Sequence, residues 1–446
     1  MFTNMITRHK PARFCSSDPG HRALKHRSAA LRSLGSRVVV ALVFATVMVA
    51  AVSPATAVNA AFTAWLAQIW PAAQKLGVSR QTFDRVTQTL EPDLSLPDLE
   101  IPGKAESDEP GQPEFVRTPA EYLSEKSLSR LAEHGRKLAD EHRDTLAAIE
   151  KNAGVPSSVV LAIWARETDF GRFRLPHNAL TALATQAFYG RRKEQFLPEF
   201  LYALKMIEDG HVKPADLRSS WAGATGLTQF MPSEYYKYAV DFDGNGHANI
   251  WASVPDALAS AAKQLAGKGW QQGKRWAYEV RLPQGVDCTI AEPEQTMPLG
   301  EWLKRGYLPA FGRQPSRAEL ADETSLLLPA GIYGPAFLIS KNYFVLKNYN
   351  FSDLYVLFVG NLSDRLREGR AFETGWGAVA QLPSRDLEEM QRRLAELGFY
   401  RDKIDGKAGM KTRSALGAYQ KAHNLKLDCW PTSAIVNHMR RKIGQN

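Results

Sequence analysis

Apolar positions recur at helical spacing along most of this chain. Phe62, Trp65, Leu66 and Ile69 open a helical stretch over 62–90. Residues 91–118 lose that rhythm: Pro92, Pro97, Pro102, Pro110 and Pro113 stand among acidic residues, which predicts an extended surface segment. From Glu121 to Glu167 the helical period returns, with a stop at Gly154 and Pro156 and a new start near Ser157. Further helices are expected at 194–209, 254–267 and 299–305, and short strands at 278–290 and 325–339. A break near Gln381–Pro383 sets off a last module, 383–446, in which Leu387, Met390, Leu394 and Leu397 recur at helical spacing. The fold class expected is mainly α (α+β), in more than one domain for 446 residues.

The net charge of +9 is unevenly spread. Residues 1–40 carry eight Lys or Arg against the single acid Asp18. Without them the charge is only +2, which removes the electrostatic case for a nucleic-acid partner. The basic stretch runs into Val38–Val52, fifteen residues without a charge, and then Ser53-Pro54-Ala55-Thr56-Ala57. That order predicts a secretory signal over 1–57, cut after Ala57 or Ala60, and hence an exported, periplasmic protein that meets the membrane only through that segment. The apolar run is short of the ~20 residues a spanning helix needs. No cysteine follows it where a lipoprotein would need one. Of three cysteines, Cys15 leaves with the signal; Cys288 and Cys429 stay, as two thiols or as one disulfide.

Val160, Ile163, Trp164 and Glu167 stand at i, i+3, i+4 and i+7, which puts a carboxylate on an apolar helix face. Burial of that kind favours the protonated carboxyl, the form a general acid needs. Asp169, at i+2, points about 200° away and cannot easily share the site, so the two-carboxylate arrangement of most glycosidases is not visible. A Gly-rich loop follows, Ser220-Trp-Ala-Gly-Ala-Thr-Gly-Leu-Thr-Gln-Phe-Met-Pro232. Its glycines, Gly223 and Gly226, would let backbone approach a ligand.

Together, Glu167 in Trp164-Ala-Arg-Glu-Thr-Asp-Phe-Gly171 and the 220–232 loop resemble the B-type lytic murein transglycosylases. The resemblance implies a lysozyme-like catalytic domain over 58–380 with helical accessory regions. It implies cleavage of the β-1,4 bond between N-acetylmuramic acid and N-acetylglucosamine, with Glu167 as acid and then base. The muramoyl C6 hydroxyl would attack C1 and leave a 1,6-anhydro end. It further assigns the cleft to Tyr122, Ser220, Gln229, Phe230, Met231, Tyr349, Asn350 and Tyr355, with Arg191 and Arg192 meeting carboxylates of the peptide. One position departs: Lys263-Gln264 stands where many relatives carry Asn-Tyr.

Asp241, Asp243 and Asn245 occupy positions 1, 3 and 5 of a loop with glycines at 4 and 6, the opening of an EF-hand-like calcium loop. The glutamate at position 12 is replaced by Ala252. The resemblance supplies Asp256 to close the loop and the His247 carbonyl as a further ligand, so a structural Ca2+ is expected and no organic cofactor. An Asx turn without metal would use the same residues. The 383–446 module, with Gly398-Phe-Tyr, Ile404-Asp-Gly and Tyr419-Gln420, resembles the small three-helix peptidoglycan-binding domain; Met410 and Cys429 are its departures. Its charge of +6 suits an anionic wall polymer. As a tether it would raise the local substrate concentration. Peptidoglycan is thus the expected partner, with other cell-wall enzymes as further candidates. A hydrolytic muramidase and a non-catalytic wall-binding scaffold are the competing functions.

Overall fold

The computed structural model describes residues 54–102, 113–312 and 314–443. The expected leader, 1–57, falls outside them except for its last four residues, which open the helix Pro54–Gln68. Among the described residues no single helix is long and apolar enough to cross a membrane.

The main body is a cluster of helices around the helix that carries Glu167, Ser157–Thr168, called the acid helix below. From Ser158 onward every residue of that helix is buried, so it is apolar all round rather than on one stripe. Gly154, with φ +67°, caps the preceding helix Arg143–Ala153 and lets the chain turn into it. Asp353–Glu368 packs along it, and Ser158 Oγ meets Ser363 Oγ at 2.8 Å. The helices Lys193–Glu208 and Val254–Gly267 match their expected bounds within a residue.

Thr296–Pro298, Glu323–Leu327, Ala336–Ile339, Ala277–Arg281 and Leu308–Pro309 form, in that spatial order, an antiparallel sheet. Its two faces bury different cores. Leu327, Phe337 and Ile339 join the main core, whereas Leu326, Leu338 and Val280 pack with Trp302 and Cys288 in a second one. A sheet covered on both sides explains why 325–339 is a continuous apolar run.

The segment 91–118 departs from the expected surface stretch. Leu96 is buried, Leu99 bridges to Gly190, and Asp98 takes a left-handed φ of +65° to accept from Arg192 at 2.8 and 3.0 Å. The opposite charge on Arg192 fixes where the 91–102 part lies.

The last module is three helices, Ser384–Glu396, Met410–Ala422 and Ser433–Ile443, around Leu387, Met390, Leu394, Leu416, Tyr419 and Met439. Gln391 organises the Ile404-Asp-Gly turn: its Oε1 accepts from the backbone of Asp405 and Gly406, each at 2.9 Å. The module is not loosely tethered. Cys288 and Cys429 form a disulfide, with Cα atoms 6.2 Å apart. Arg413, buried, and Asp353, half-buried, pair at 3.0 Å. Burial alone would push the Asp353 carboxyl up, but Lys347 and Arg413 hold it well below the usual carboxylate range.

Candidate active site

Glu167 closes the last turn of the acid helix and is 4% exposed. Tyr355, fully buried on the helix Asp353–Glu368, donates its hydroxyl to Glu167 Oε1 at 2.6 Å. Burial and the adjacent carboxylate push the Tyr355 phenol well above its ordinary range, so it remains a donor. Tyr349 lies parallel to Tyr355, ring centroids 6.4 Å apart, and donates to the Thr228 carbonyl. Asn350 caps the turn between them, accepting from Ser352 N at 3.0 Å. On the other side Tyr122 accepts from Arg166, whose guanidinium also lies 4.8 Å over the tyrosine ring.

The chain leaves the acid helix through three consecutive left-handed residues, Asp169, Phe170 and Gly171, with φ of +50°, +58° and +77°. Non-glycine residues in that region cost on the order of 1 kcal/mol each, and such strain gathers at functional sites. The turn is held by Thr168, whose Oγ1 donates to Leu227 O at 2.7 Å and accepts from Gly171 N at 3.1 Å. One hydroxyl thereby ties the acid to the 220–232 loop.

Ending the helix at Thr168 overturns the wheel argument for Asp169. Its carboxylate lines the same cavity as Glu167, a space of about 170 Å³ shared with Tyr122, Arg117 and Arg130. It is bound there by Arg172 at 2.9 Å and Arg130 at 3.3 Å.

Within the 220–232 loop, Ser220 is fully buried and its Oγ accepts from Ala224 N at 3.1 Å. Gln229 holds a left-handed φ of +57°; its Nε2 donates to Gly226 O at 3.0 Å, while its buried Oε1 has no hydrogen-bond partner among the described residues. An amide oxygen left unsatisfied costs about 1–3 kcal/mol, which a ligand donor would relieve. Phe230, 1% exposed, belongs to the main core and supports the loop from behind, and Met231 is half-buried against that core. Both glycines have a packing role. A Cβ on Gly223 would sit 2.2 Å from Leu183, and one on Gly226 2.9 Å from Ile250 O.

Arg191 and Arg192 are held by Asp98, and Arg192 lies 5.9 Å over Trp221 at the edge of the loop. Gln264 is buried, donates to Glu234 Oε2 at 2.9 Å and leaves its own Oε1 unsatisfied.

The aspartate loop is a separate construction. Carboxylate oxygens of Asp241, Asp243 and Asp256 lie within 4.8 Å of one another. Asp256, fully buried, accepts from Phe242 N and Asn249 N, each at 2.8 Å. Asp241 accepts from Asn245 N and Gly246 N, and Asn245 accepts from His247 N at 3.0 Å. The His247 ring turns to the His211 carbonyl, 2.9 Å away. Three carboxylates brought together by their own loop form a donor set that a hard divalent cation fits.

Residues 61–364 match the Transglycosylase SLT domain family, and 383–439 match the peptidoglycan binding domain family. The chain belongs to the SLT-domain transglycosylase family. Membrane-bound lytic murein transglycosylase B of Escherichia coli (strain K12) is 33% identical over 238 residues. That match covers 52% of this chain and 62% of the relative, so the chain spans less than two thirds of that protein. SltB3 from Pseudomonas aeruginosa, solved in complex with NAG-anhNAM-pentapeptide, has a TM-score of 0.76 at 36% identity, covering 85% of this chain and 99% of that one. Escherichia coli lytic transglycosylase Slt35, solved in complex with calcium, has a TM-score of 0.55 at 26% identity, over 70% and 94%.

As a member of the SLT-domain transglycosylase family, the chain has the mainly helical, lysozyme-like fold and the three-helix end module that its sequence motifs implied. Arg117, Arg130 and Arg172 are the charged residues that sequence reasoning missed. Nothing in their spacing distinguishes them from solvated surface arginines.

Proposed function

We propose that this chain is a lytic transglycosylase that cleaves peptidoglycan between N-acetylmuramic acid and N-acetylglucosamine without adding water. The observation that carries the reading is one deeply buried carboxylate, Glu167, held by the Tyr355 hydroxyl at 2.6 Å in a cavity large enough for a sugar ring's reacting edge. Protonated Glu167 gives its proton to the glycosidic oxygen as the bond to C1 breaks. The resulting carboxylate, steadied by Tyr355, then takes the proton of the muramoyl C6 hydroxyl. That oxygen attacks C1 and closes the 1,6-anhydro ring, so substrate supplies the nucleophile. The ligand named for SltB3, an anhydro sugar with a pentapeptide, supports this product class.

Ser220, Gln229, Met231, Tyr122, Tyr349 and Asn350 are proposed to shape the cleft, with Phe230 buttressing it and Arg191 and Arg192 at its rim. Asp241, Asp243, Asn245, the His247 carbonyl and Asp256 would hold Ca2+ in a structural role, a reading supported by the calcium complex of Slt35. The catalytic domain spans 58–380 and the wall-binding module 383–446. Export to the periplasm through 1–57 suits the disulfide, which an oxidising compartment maintains.

The presence of Asp169 in the same cavity gives the hydrolytic muramidase reading its one specific support. Mass spectrometry of digested sacculi separates the two. Muropeptide ends lighter by one water are expected; reducing ends throughout would replace this reading with the muramidase.

A further inference from the structure

The C-terminal module is pressed against the main body well beyond the disulfide. Ser414 Oγ donates to the Thr289 carbonyl at 2.7 Å. At Gly331 the body makes room for the module's backbone: a Cβ there would sit 2.1 Å from Asp428 O. Ile332, the next residue, donates its N–H to that same carbonyl at 3.2 Å. One further contact leads inward. Arg413, on the module's helix Met410–Ala422 and 5% exposed, donates Nη2 to Asp353 Oδ2 at 3.0 Å and Nη1 to the carbonyl of Ala408. The other oxygen, Asp353 Oδ1, accepts from the Tyr343 hydroxyl at 2.6 Å and from Lys347 Nζ at 2.7 Å. Tyr343 and Lys347 stand on the helix Lys341–Tyr349, and Asp353 opens the helix Asp353–Glu368. One carboxylate thus fastens three helices together, one of them from the module.

Each of the body's two helices brings a tyrosine to the acid. Tyr349 ends the first, and Tyr355 stands two residues after Asp353 in the first turn of the second. Their rings lie parallel, and the Tyr355 hydroxyl donates to Glu167 at 2.6 Å. The first turn of a helix lacks the intrahelical bonds that hold its middle. Here the N–H groups of Leu354 and Tyr355 reach only the Ser352 hydroxyl, at 3.2 and 3.5 Å. The Asp353 side chain, tied on three sides, is therefore the firm anchor of the turn that carries Tyr355.

We propose that Arg413 is a positioning residue for the reaction: by holding Asp353 it fixes the turn that carries Tyr355, and so the hydroxyl that meets Glu167. This rests on the reading of Glu167 as the acid that cleaves the glycan. Arg413 does not line the Glu167 cavity, so it acts through the body's helices and not on the sugar. The module is then a working part of the catalytic unit, in addition to any hold it has on the wall.

The test is a double-mutant cycle on short soluble glycan strands, for which tethering to the wall is irrelevant. Arg413→Met keeps the bulk of the stem and removes the charge, while the Cys288–Cys429 disulfide keeps the module in place. It should lower kcat about ten-fold with KM little changed, and Arg413→Lys should recover part of the loss. In a Tyr355→Phe background the same substitution should cost little more, because the hydroxyl it positions has gone. A general weakening of the fold would instead add its full loss to that of Tyr355→Phe. Additive losses, a loss confined to KM, or an unchanged kcat overturn the proposal. Should the unmodified protein release no product from such strands, the glycan-cleaving reading fails instead. The coupling is then decided by amide hydrogen exchange at residues 354–356. Arg413→Met should speed it about ten-fold, and unchanged exchange overturns the coupling.

Discussion

The Glu167 cavity and the Asp241 loop use the same functional group in opposite ways. At the first, one carboxylate is set deep in apolar helix and given a phenol for company. At the second, three carboxylates crowd within 4.8 Å, two of them exposed. A deeply buried carboxyl can exchange a proton with a ligand; ionised carboxylates crowded together repel each other unless a cation joins them. The sites also differ in origin. The loop is contiguous over sixteen residues, 241–256, whereas the acid cavity gathers Tyr122, Glu167 and Phe358 from three separate parts of the chain.

Substitution at the acid should have the largest effect. Glu167→Gln keeps the shape and removes the exchangeable proton, so kcat should fall by about three orders of magnitude or more while binding to sacculi persists. Release of muropeptides measured beside a pull-down checks both halves, and retained turnover would falsify the role given to this residue. Tyr355→Phe should come next. Loss of a hydrogen bond to a charged group is worth about 1.5–3 kcal/mol, or about ten- to a hundred-fold in kcat, with KM little changed. A rise in KM alone would make Tyr355 a binding residue. The loop should give the smallest effect on turnover and a thermal one instead. With Ca2+ at about a hundred times its Kd the fold gains roughly 2.7 kcal/mol, so chelation should lower the Tm by several degrees. Asp256→Asn should abolish that shift, and a Tm indifferent to chelator would leave the loop a metal-free Asx turn.

What the sequence revealed follows the same division. Local patterns were legible: the stop at Gly154, the helix Val254–Gly267, the aspartate spacing, and the Ile404-Asp-Gly turn that Gln391 fixes. Contacts made across the fold were not. The packing of Gly223 against Leu183, forty residues earlier, leaves no mark in the sequence. Asp169 was assigned the wrong direction because helical periodicity carries no sign of the three left-handed residues that end the helix. Asp98, in a stretch resembling exposed linker, proved to be the partner of Arg192. Cys288 and Cys429, 141 residues apart, could have paired or not on spacing alone.

That bridge makes the chain's last part a condition for finishing its middle. Cys288 belongs to the second core beneath the sheet, yet its partner lies 141 residues further along the chain. A product that ends early, or one trimmed at 383, keeps an odd thiol and bares the apolar ground that Met410 and Cys429 cover. Such a remnant carries in that thiol a chemical mark of the part it lacks.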